Sequence, residues 1–431
     1  MSSNKKRILF GFKSIPYPLR ADGVSVRYLP IIESMARCND IDLIVINGRV
    51  EKRNLLDGLK PFCRKIHYLE NPRRSSHGIF TKCLTYLNFL LPWTPPISVE
   101  RHGGSTVTRE VIKATKGERY DTVVWVGGEL LPNLMDALPA ISVDKVFVDF
   151  IDSPSLWAIR RKEGEFRLEA LNRYERWKTL RWEGNIIRKT EGTIYISSVD
   201  AETVPPAYAP IGKRHIFPNG INLPDGTNTK CASLPSPNIG FLGTMGYAPN
   251  IEAVEWLYTE VFVPLREILP DLTLVVIGRY PSRSIRELGK MPGVIVTGEV
   301  EDIWEYVNAI DVFLFPLLRG AGLKNKILEA MYAGRPVITT KIGNEGIDAV
   351  SGENIVIGQT KEDFRRETIK LLDSPEERTR LGIAANAFVL RKFSWDGILT
   401  AYGNLLLGHV QADGREGEQK MKTAAPACGS S

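Results

Sequence analysis

From Asp311 to Thr340 the chain reads as apolar strand, glycine-rich turn, helix and apolar strand, and that order leaves little besides a parallel βαβ unit. The run Asp311–Pro316 has the unbroken apolar character of a strand buried on both faces, and Arg335–Thr340 has it again. At about 100° per residue, Leu323, Ile327, Ala330 and Gly334 share the arc that packs on a sheet. Gly322, Asn325, Lys326 and Glu329 share a second arc, displaced toward the helix N-terminus. A glycine-rich turn entering a helix leaves N–H groups facing outward, and the dipole favours an anion there. Lys324 and Lys326 carry the wrong sign for that end of a helix unless a negative ligand sits before them. A phosphate is the simplest such ligand, and Glu329, one turn on, suits a pair of sugar or ribose hydroxyls. An ordinary turn with solvated lysines produces the same letters, since glycine-rich loops are common.

The rest of the chain repeats the motif in two halves, which makes the fold class α/β. Arg7–Phe12, a Pro/Gly loop, a helix from Val24 to Arg37 and Ile41–Ile46 form a first βαβ unit. Loops leaving the carboxyl ends of such strands build the ligand crevice, which puts Asp22 and Gly23 at a site edge unless they form a plain turn. Tyr120–Val126 and Lys145–Ile151 are further strands, and the second delivers Asp149 and Asp152 to its carboxyl end. There Asp152 either works as a base or hydroxyl ligand, or caps the helix that follows. Leu156–Lys189 is charged and helical, and Leu223–Pro237, poor in apolar residues, reads as a linker. After it the alternation restarts with Ile239–Gly243, Leu272–Gly278, Val294–Gly298 and Ile355–Ile357 as strands. Helices follow over Lys361–Leu372, Pro375–Val389 and Phe393–Leu407, and the residues from Gln411 to Ser431 read as a disordered tail.

With 431 residues, 43% of them apolar, the chain has the length for two domains and the composition of a globular protein. No apolar run is long enough to span a bilayer, and Met1–Arg7 lacks a signal peptide's apolar segment, so a cytoplasmic protein is expected. Five cysteines and five histidines without paired spacing give no support to a disulfide framework or a metal site. The net charge of +6 is uneven, basic up to residue 235 and acidic beyond it. A basic first half suits an anionic membrane or a polyanionic substrate, and no nucleic-acid-binding signature accompanies it. The cationic stretch Arg49–Arg74 is followed by the apolar, aromatic Ile79–Trp93, which fits the membrane interface or a buried helix beside a solvated face.

Several motifs in the second half carry a family resemblance. Gly240–Asn250 (GFLGTMGYAPN), Val276–Arg279, Thr297–Val300, and Asn325–Met331 followed by Gly334–Thr340 resemble the donor domain of a family 4-type glycosyltransferase over roughly residues 236–395. Val148–Asp152, Arg173–Glu175 and Pro218–Gly220 are similar to the same group, among which bacterial exopolysaccharide sugar transferases are most alike. The resemblance implies the GT-B fold: two doubly wound Rossmann-like domains facing a cleft, with a C-terminal helix crossing back. The divisions it implies are an acceptor-binding domain over 1–225, a linker over 226–237, a donor-binding domain over 238–395, a crossover helix over 396–410 and the tail over 411–431. It implies transfer from a nucleoside-diphosphate sugar, as co-substrate, to a hydroxyl of a glycan or lipid-linked glycan at the inner face of the plasma membrane. Neither metal nor cofactor is expected.

Carried over by position, Glu329 matches the donor-ribose glutamate, Gly243 and Thr244 the loop near the diphosphate, and Glu299 and Val300 the strand end beside the base. Arg279 follows the matching Val276–Gly278 strand end on the donor side. Where the family's other glutamate is expected the chain has Ala321, and the basic pair usual after the Gly243 strand is absent. Lys324 or Lys326 is therefore expected to supply the positive charge, with Asp152 as base if the anomeric centre inverts. A nucleotide-sugar epimerase and a non-catalytic sugar-nucleotide-binding subunit are the alternatives on this fold.

Overall fold

Two all-parallel sheets carry the chain, and both reverse strand order once, next to their first strand. In the computed structural model, residues 5–19, 23–47, 50–70, 89–97, 104–128, 130–160, 169–221, 231–319 and 323–408 are described. The first sheet has seven strands: β1 Arg7–Phe12, β2 Asp40–Asn47, β3 Lys65–Glu70, β4 Arg119–Val126, β5 Ser142–Ile151, β6 Gly192–Tyr195 and β7 Arg214–Ile216, in the order β3-β2-β1-β4-β5-β6-β7. The second has six: β8 Asn238–Leu242, β9 Thr273–Ile277, β10 Val294–Gly298, β11 Val312–Phe315, β12 Val337–Thr339 and β13 Val356–Ile357, in the order β10-β9-β8-β11-β12-β13. The order reverses between β1 and β4 and between β8 and β11, and crevices open at the carboxyl ends of such strand pairs.

The apolar runs form strands because helices cover both faces of each sheet, so neither face needs polar residues. Val312, Phe313, Leu314 and Phe315 are all fully buried, as are Leu274 to Ile277. Helix Asn325–Tyr332 lays Ile327 and Ala330 on the sheet as the periodicity requires, both 0% exposed. Leu323 and Gly334 fall outside it: the helix starts two residues after Leu323, and Gly334 lies past its end at φ 66°.

Several elements depart from the sequence reading, among them a strand and a helix in the first half. Within the cationic stretch, Lys65–Glu70 is the edge strand β3, paired with β2 from Asp42↔Lys65 to Asn47↔Glu70. Gly104–Thr115 is a helix with no counterpart in the sequence reading. Of the apolar segment Ile79–Trp93, residues 79–88 lie outside the described residues. At its carboxyl end Phe89 is buried, whereas Leu90, Leu91 and Trp93 are exposed, Trp93 at 78%. The tail from residue 409 also lies outside the described residues.

The final helix, Trp395–Leu407, leaves the second sheet's half and packs on the first. Tyr402 and Leu406 are fully buried in the first sheet's core, and Thr122 Oγ1 on β4 donates to the Leu406 carbonyl at 2.9 Å. The chain thus crosses between halves twice, and the crossings touch. Ile221 N donates to Phe393 O at 2.8 Å, and a Cβ on Gly220 would lie 2.3 Å from the Trp395 ring.

Candidate functional site

The two sheets' carboxyl ends face a cleft of about 350 Å³. From the first half come Val26, Gly220 and Ile221; from the second come Gly243, Thr244, Gly278, Arg279, Glu299, Val300, Asn325, Lys326 and Glu329, among others. The ends of β8 and β9 approach so closely that a Cβ on Gly278, at φ 152°, would lie 1.7 Å from the Gly243 carbonyl oxygen. Only glycine allows this approach, which holds the Gly243–Thr244 and Gly278–Arg279 turns side by side.

The mouth of helix Asn325–Tyr332 opens into the cleft. Its first intrahelical donor is Ile327 N, to Lys324 O at 2.9 Å, and the N-cap residue Lys324 supplies no side-chain cap. The amides of Asn325 and Lys326 therefore precede the helical ladder and belong to the positive end of the dipole. Lys326 Nζ donates to Asn250 Oδ1 and lies 4.8 Å from the Phe241 ring centroid and 5.9 Å from that of Phe315. Asn250 Nδ2 donates to Thr244 O at 3.0 Å, which turns its oxygen toward the lysine. Burial against these rings, and then the Lys324 charge, push the Lys326 pKa down to about 7. Lys324 is 9% exposed, and burial lowers its pKa too, against the pull of Glu345 and Asp152.

On the first half, the end of β5 lies near Lys324 but does not line the cleft. Its pairing with β6 slips between Asp149 and Ile151, and Ile151 takes φ 64°, a left-handed conformation that a β-branched residue rarely adopts. Asp149 Oδ1 accepts from Ile151 N at 2.9 Å and holds the turn. The next residue is Asp152. The helix after it, Pro154–Arg160, is capped by Ser153, whose Oγ accepts from Leu156 N at 3.2 Å, so Asp152 does not serve as its cap. Ser153 is in turn fixed by Glu183, which also accepts from Ser155 N and Tyr195 OH. Burial, and then the Asp200 charge, raise the Asp152 pKa to about 6, while the Trp157 side chain and Lys324 pull the other way. The Asp152 charge pulls upward on the pKa of both Lys324 and Tyr247, which belong to the second half. Near that rim Arg160 reaches over with a two-pronged bond to Glu345, at 2.6 and 2.8 Å.

Of the residues singled out in the sequence, Gly243, Thr244, Arg279, Glu299, Val300, Asn325, Lys326 and Glu329 line the one cleft. Lys324 and Asp152 are not among its lining residues, although each influences the other's ionisation across the gap. Gly23 starts its helix exposed to solvent and does not line the cleft, where Val26, one turn on, takes the place expected of it. Asp22 and Gly322 lie outside the described residues. The sequence reading missed Asn250 as the partner of Lys326, and missed Gly220 and Ile221 as cleft walls. The Thr244–Asn250 loop and the Asn219-Gly220 turn are visible in the sequence, but strand and turn signals do not say which side chain meets which.

Residues 236–374, about a third of the chain, match the family model described as glycosyl transferases group 1. An uncharacterized 44.6 kDa protein in the cps region of Klebsiella pneumoniae is 24% identical over 164 residues, which cover 36% of this chain and 42% of that one. A GDP-mannose-dependent monoacylated α-(1-6)-phosphatidylinositol monomannoside mannosyltransferase of Corynebacterium glutamicum is 28% identical over 146 residues, covering 30% and 36%. The chain thus spans less than half the length of these curated relatives. The crystal structure of Anabaena HepE in complex with UDP superposes with a TM-score of 0.63 at 14% identity, over 93% of this chain and 100% of that one. At that identity the likeness speaks for the fold, which is GT-B.

Proposed function

We infer, from the GT-B fold and the match of residues 236–374 to the glycosyl transferases group 1, transfer of a sugar from a nucleoside-diphosphate sugar to a hydroxyl of a glycan or lipid-linked glycan. The observation that carries this reading is the meeting, in one interdomain cleft, of the cationic mouth Asn325–Lys326, the Gly243–Thr244 turn and the carboxylate of Glu329. The diphosphate lies against the helix mouth, and Glu329 takes a pair of ribose hydroxyls. UDP in the HepE crystal and the GDP-mannose dependence of the Corynebacterium relative support a sugar nucleotide without fixing its base.

In the reaction the bond from the anomeric carbon to the diphosphate oxygen breaks through an oxocarbenium-like state. The electron pair leaves with the diphosphate, where Lys326 and the free helix amides meet the growing charge. The acceptor oxygen bonds to the anomeric carbon, and its proton goes to Asp152 in an inverting reaction. The reaction sits on the cytoplasmic face of a membrane, in synthesis of a surface polysaccharide such as an exopolysaccharide. The basic first half and the exposed Leu90, Leu91 and Trp93 support peripheral contact with anionic lipid there. Among the described residues no helix is long and apolar enough to cross a membrane.

A thermal-shift screen of nucleoside diphosphates and their sugars tests the site, and release of nucleoside diphosphate tests the chemistry. Transfer predicts release that rises with acceptor. Isomerised sugar nucleotide without acceptor would mark an epimerase. Tight binding with no release would mark a binding subunit.

A further inference from the structure

Arg27 is fully buried in the first half, and its bonds join the end of β5 to the Phe217–Asn219 segment that borders the cleft. Its Nε and Nη2 donate to Asp149 Oδ2 at 3.0 and 2.8 Å. Its Nη1 donates to the Phe217 carbonyl at 2.8 Å and to Asn219 Oδ1 at 3.1 Å. Tyr402 OH, from the crossover helix, lies 3.5 Å from the same Asp149 oxygen, and Tyr28 OH lies 3.3 Å from Tyr402 OH. Every one of these five side chains is at most 4% exposed.

Arginine has only donors, so the amide oxygen of Asn219 must face Arg27 and its NH₂ must face away. What it meets is Asn325 Oδ1, at 3.5 Å, on the first residue of the donor-side helix. That contact settles the next amide in the line: with its oxygen taken up by Asn219, Asn325 has its NH₂ left to present. Asn325 lines the cleft beside Lys326. We propose that Asn219 is a positioning residue that fixes the amide polarity of Asn325, so that Asn325 meets the donor diphosphate as a hydrogen-bond donor. This rests on the functional reading above. It goes beyond that reading by giving the N-terminal half a part in donor binding, exerted through Asn325. The polarity is set by a buried ion pair that does not line the cleft, and the same Asp149 holds the strained turn before Asp152 through Ile151 N. One pair therefore registers the donor side and the acceptor side against each other.

The test is a polarity reversal. Asn219→Asp keeps the shape and still accepts from Arg27, but it turns an acceptor toward Asn325, whose amide must then rotate and offer its oxygen to the phosphates. Binding of UDP, GDP, ADP and dTDP is measured first on the wild-type protein by calorimetry, and the variants are compared on whichever binds. Asn219→Asp should raise Kd at least tenfold with a melting temperature close to wild type, and Asn219→Ala should raise it less. In an Asn325→Ala background, Asn219→Asp should change nothing further. A purely structural role predicts the opposite order, with the isosteric Asp milder than Ala. Wild-type affinity in Asn219→Asp, or an equal loss in the Asn325→Ala background, overturns the proposal while leaving the functional reading intact. If the wild-type protein binds none of the four nucleotides, the functional reading falls and this proposal falls with it.

Discussion

The charge on Lys326 should make donor affinity fall steeply above neutral pH. Burial against Phe241 and Phe315 and the neighbouring Lys324 bring its pKa to about 7, from an ordinary value of 10.5. Because that pKa is depressed, the cation is present below pH 7 and is lost as pH rises through it. A bound diphosphate restores the cation, so above pH 7 each binding event must also take up a proton, and Kd rises tenfold per pH unit. At pH 9 only about one free molecule in a hundred carries the charge. Affinity should then be roughly 100-fold weaker than at pH 6, or about 2.7 kcal/mol at 1.36 kcal/mol per unit. The ligand should be the intact sugar nucleotide, whose diphosphate keeps the same charge over this range. Calorimetry in two buffers of different ionisation enthalpy reads the proton uptake directly, near zero at pH 6 and approaching one at pH 9. Lys326→Arg keeps its charge and should flatten the profile. Lys326→Met should bind at pH 6 about as weakly as wild type does at pH 9. A wild-type Kd constant within threefold from pH 6 to 9 would refute the assignment of Lys326 to the diphosphate.

Asp152 sets the opposite limb: with its pKa raised to about 6 it is an ionised base above that pH, so turnover should fall tenfold per unit below pH 6. Asp152→Asn should abolish the limb and cost about 10²–10⁴ in kcat while nucleotide binding holds; normal turnover would dismiss the base. Ile327→Ala empties a fully buried position between helix and sheet and should cost about 2–5 kcal/mol in urea unfolding, and a loss under about 1 kcal/mol would contradict its place in the core. Replacing Leu90 and Trp93 with serine should cut co-sedimentation with vesicles rich in phosphatidylserine several-fold without altering nucleotide binding, and unchanged sedimentation would end the membrane reading.

How much of this the sequence discloses depends on how local the cause is. Val312–Phe315 is legible as a strand because burial on both faces leaves its own letters apolar. β3 is not, because an edge strand with half-exposed Lys65, His67 and Glu70 looks like any charged loop. Most second-half cleft residues are legible because they sit just beyond a strand or in the first turns of a helix, where short motifs record position. Arg27 is not, as it occupies a helix in which an arginine reads as a surface charge. Its partner Asp149 is 122 residues away, and only folding shows that the two meet. Ser153, rather than Asp152, caps its helix because a bulge and a left-handed Ile151 turn the carboxylate aside, which residue preferences do not encode.

The double crossing has a practical meaning for anyone dividing this protein. Expressing residues 1–221 alone would omit the helix that supplies Tyr402 and Leu406, leaving an oily scar over Tyr28 and a dangling Thr122 hydroxyl. A working first half has to be stitched from two distant pieces of sequence. With the two threads tied at Ile221 and Phe393, the halves share one spine, and the Arg160–Glu345 clasp joins them a second time at the fore-edge.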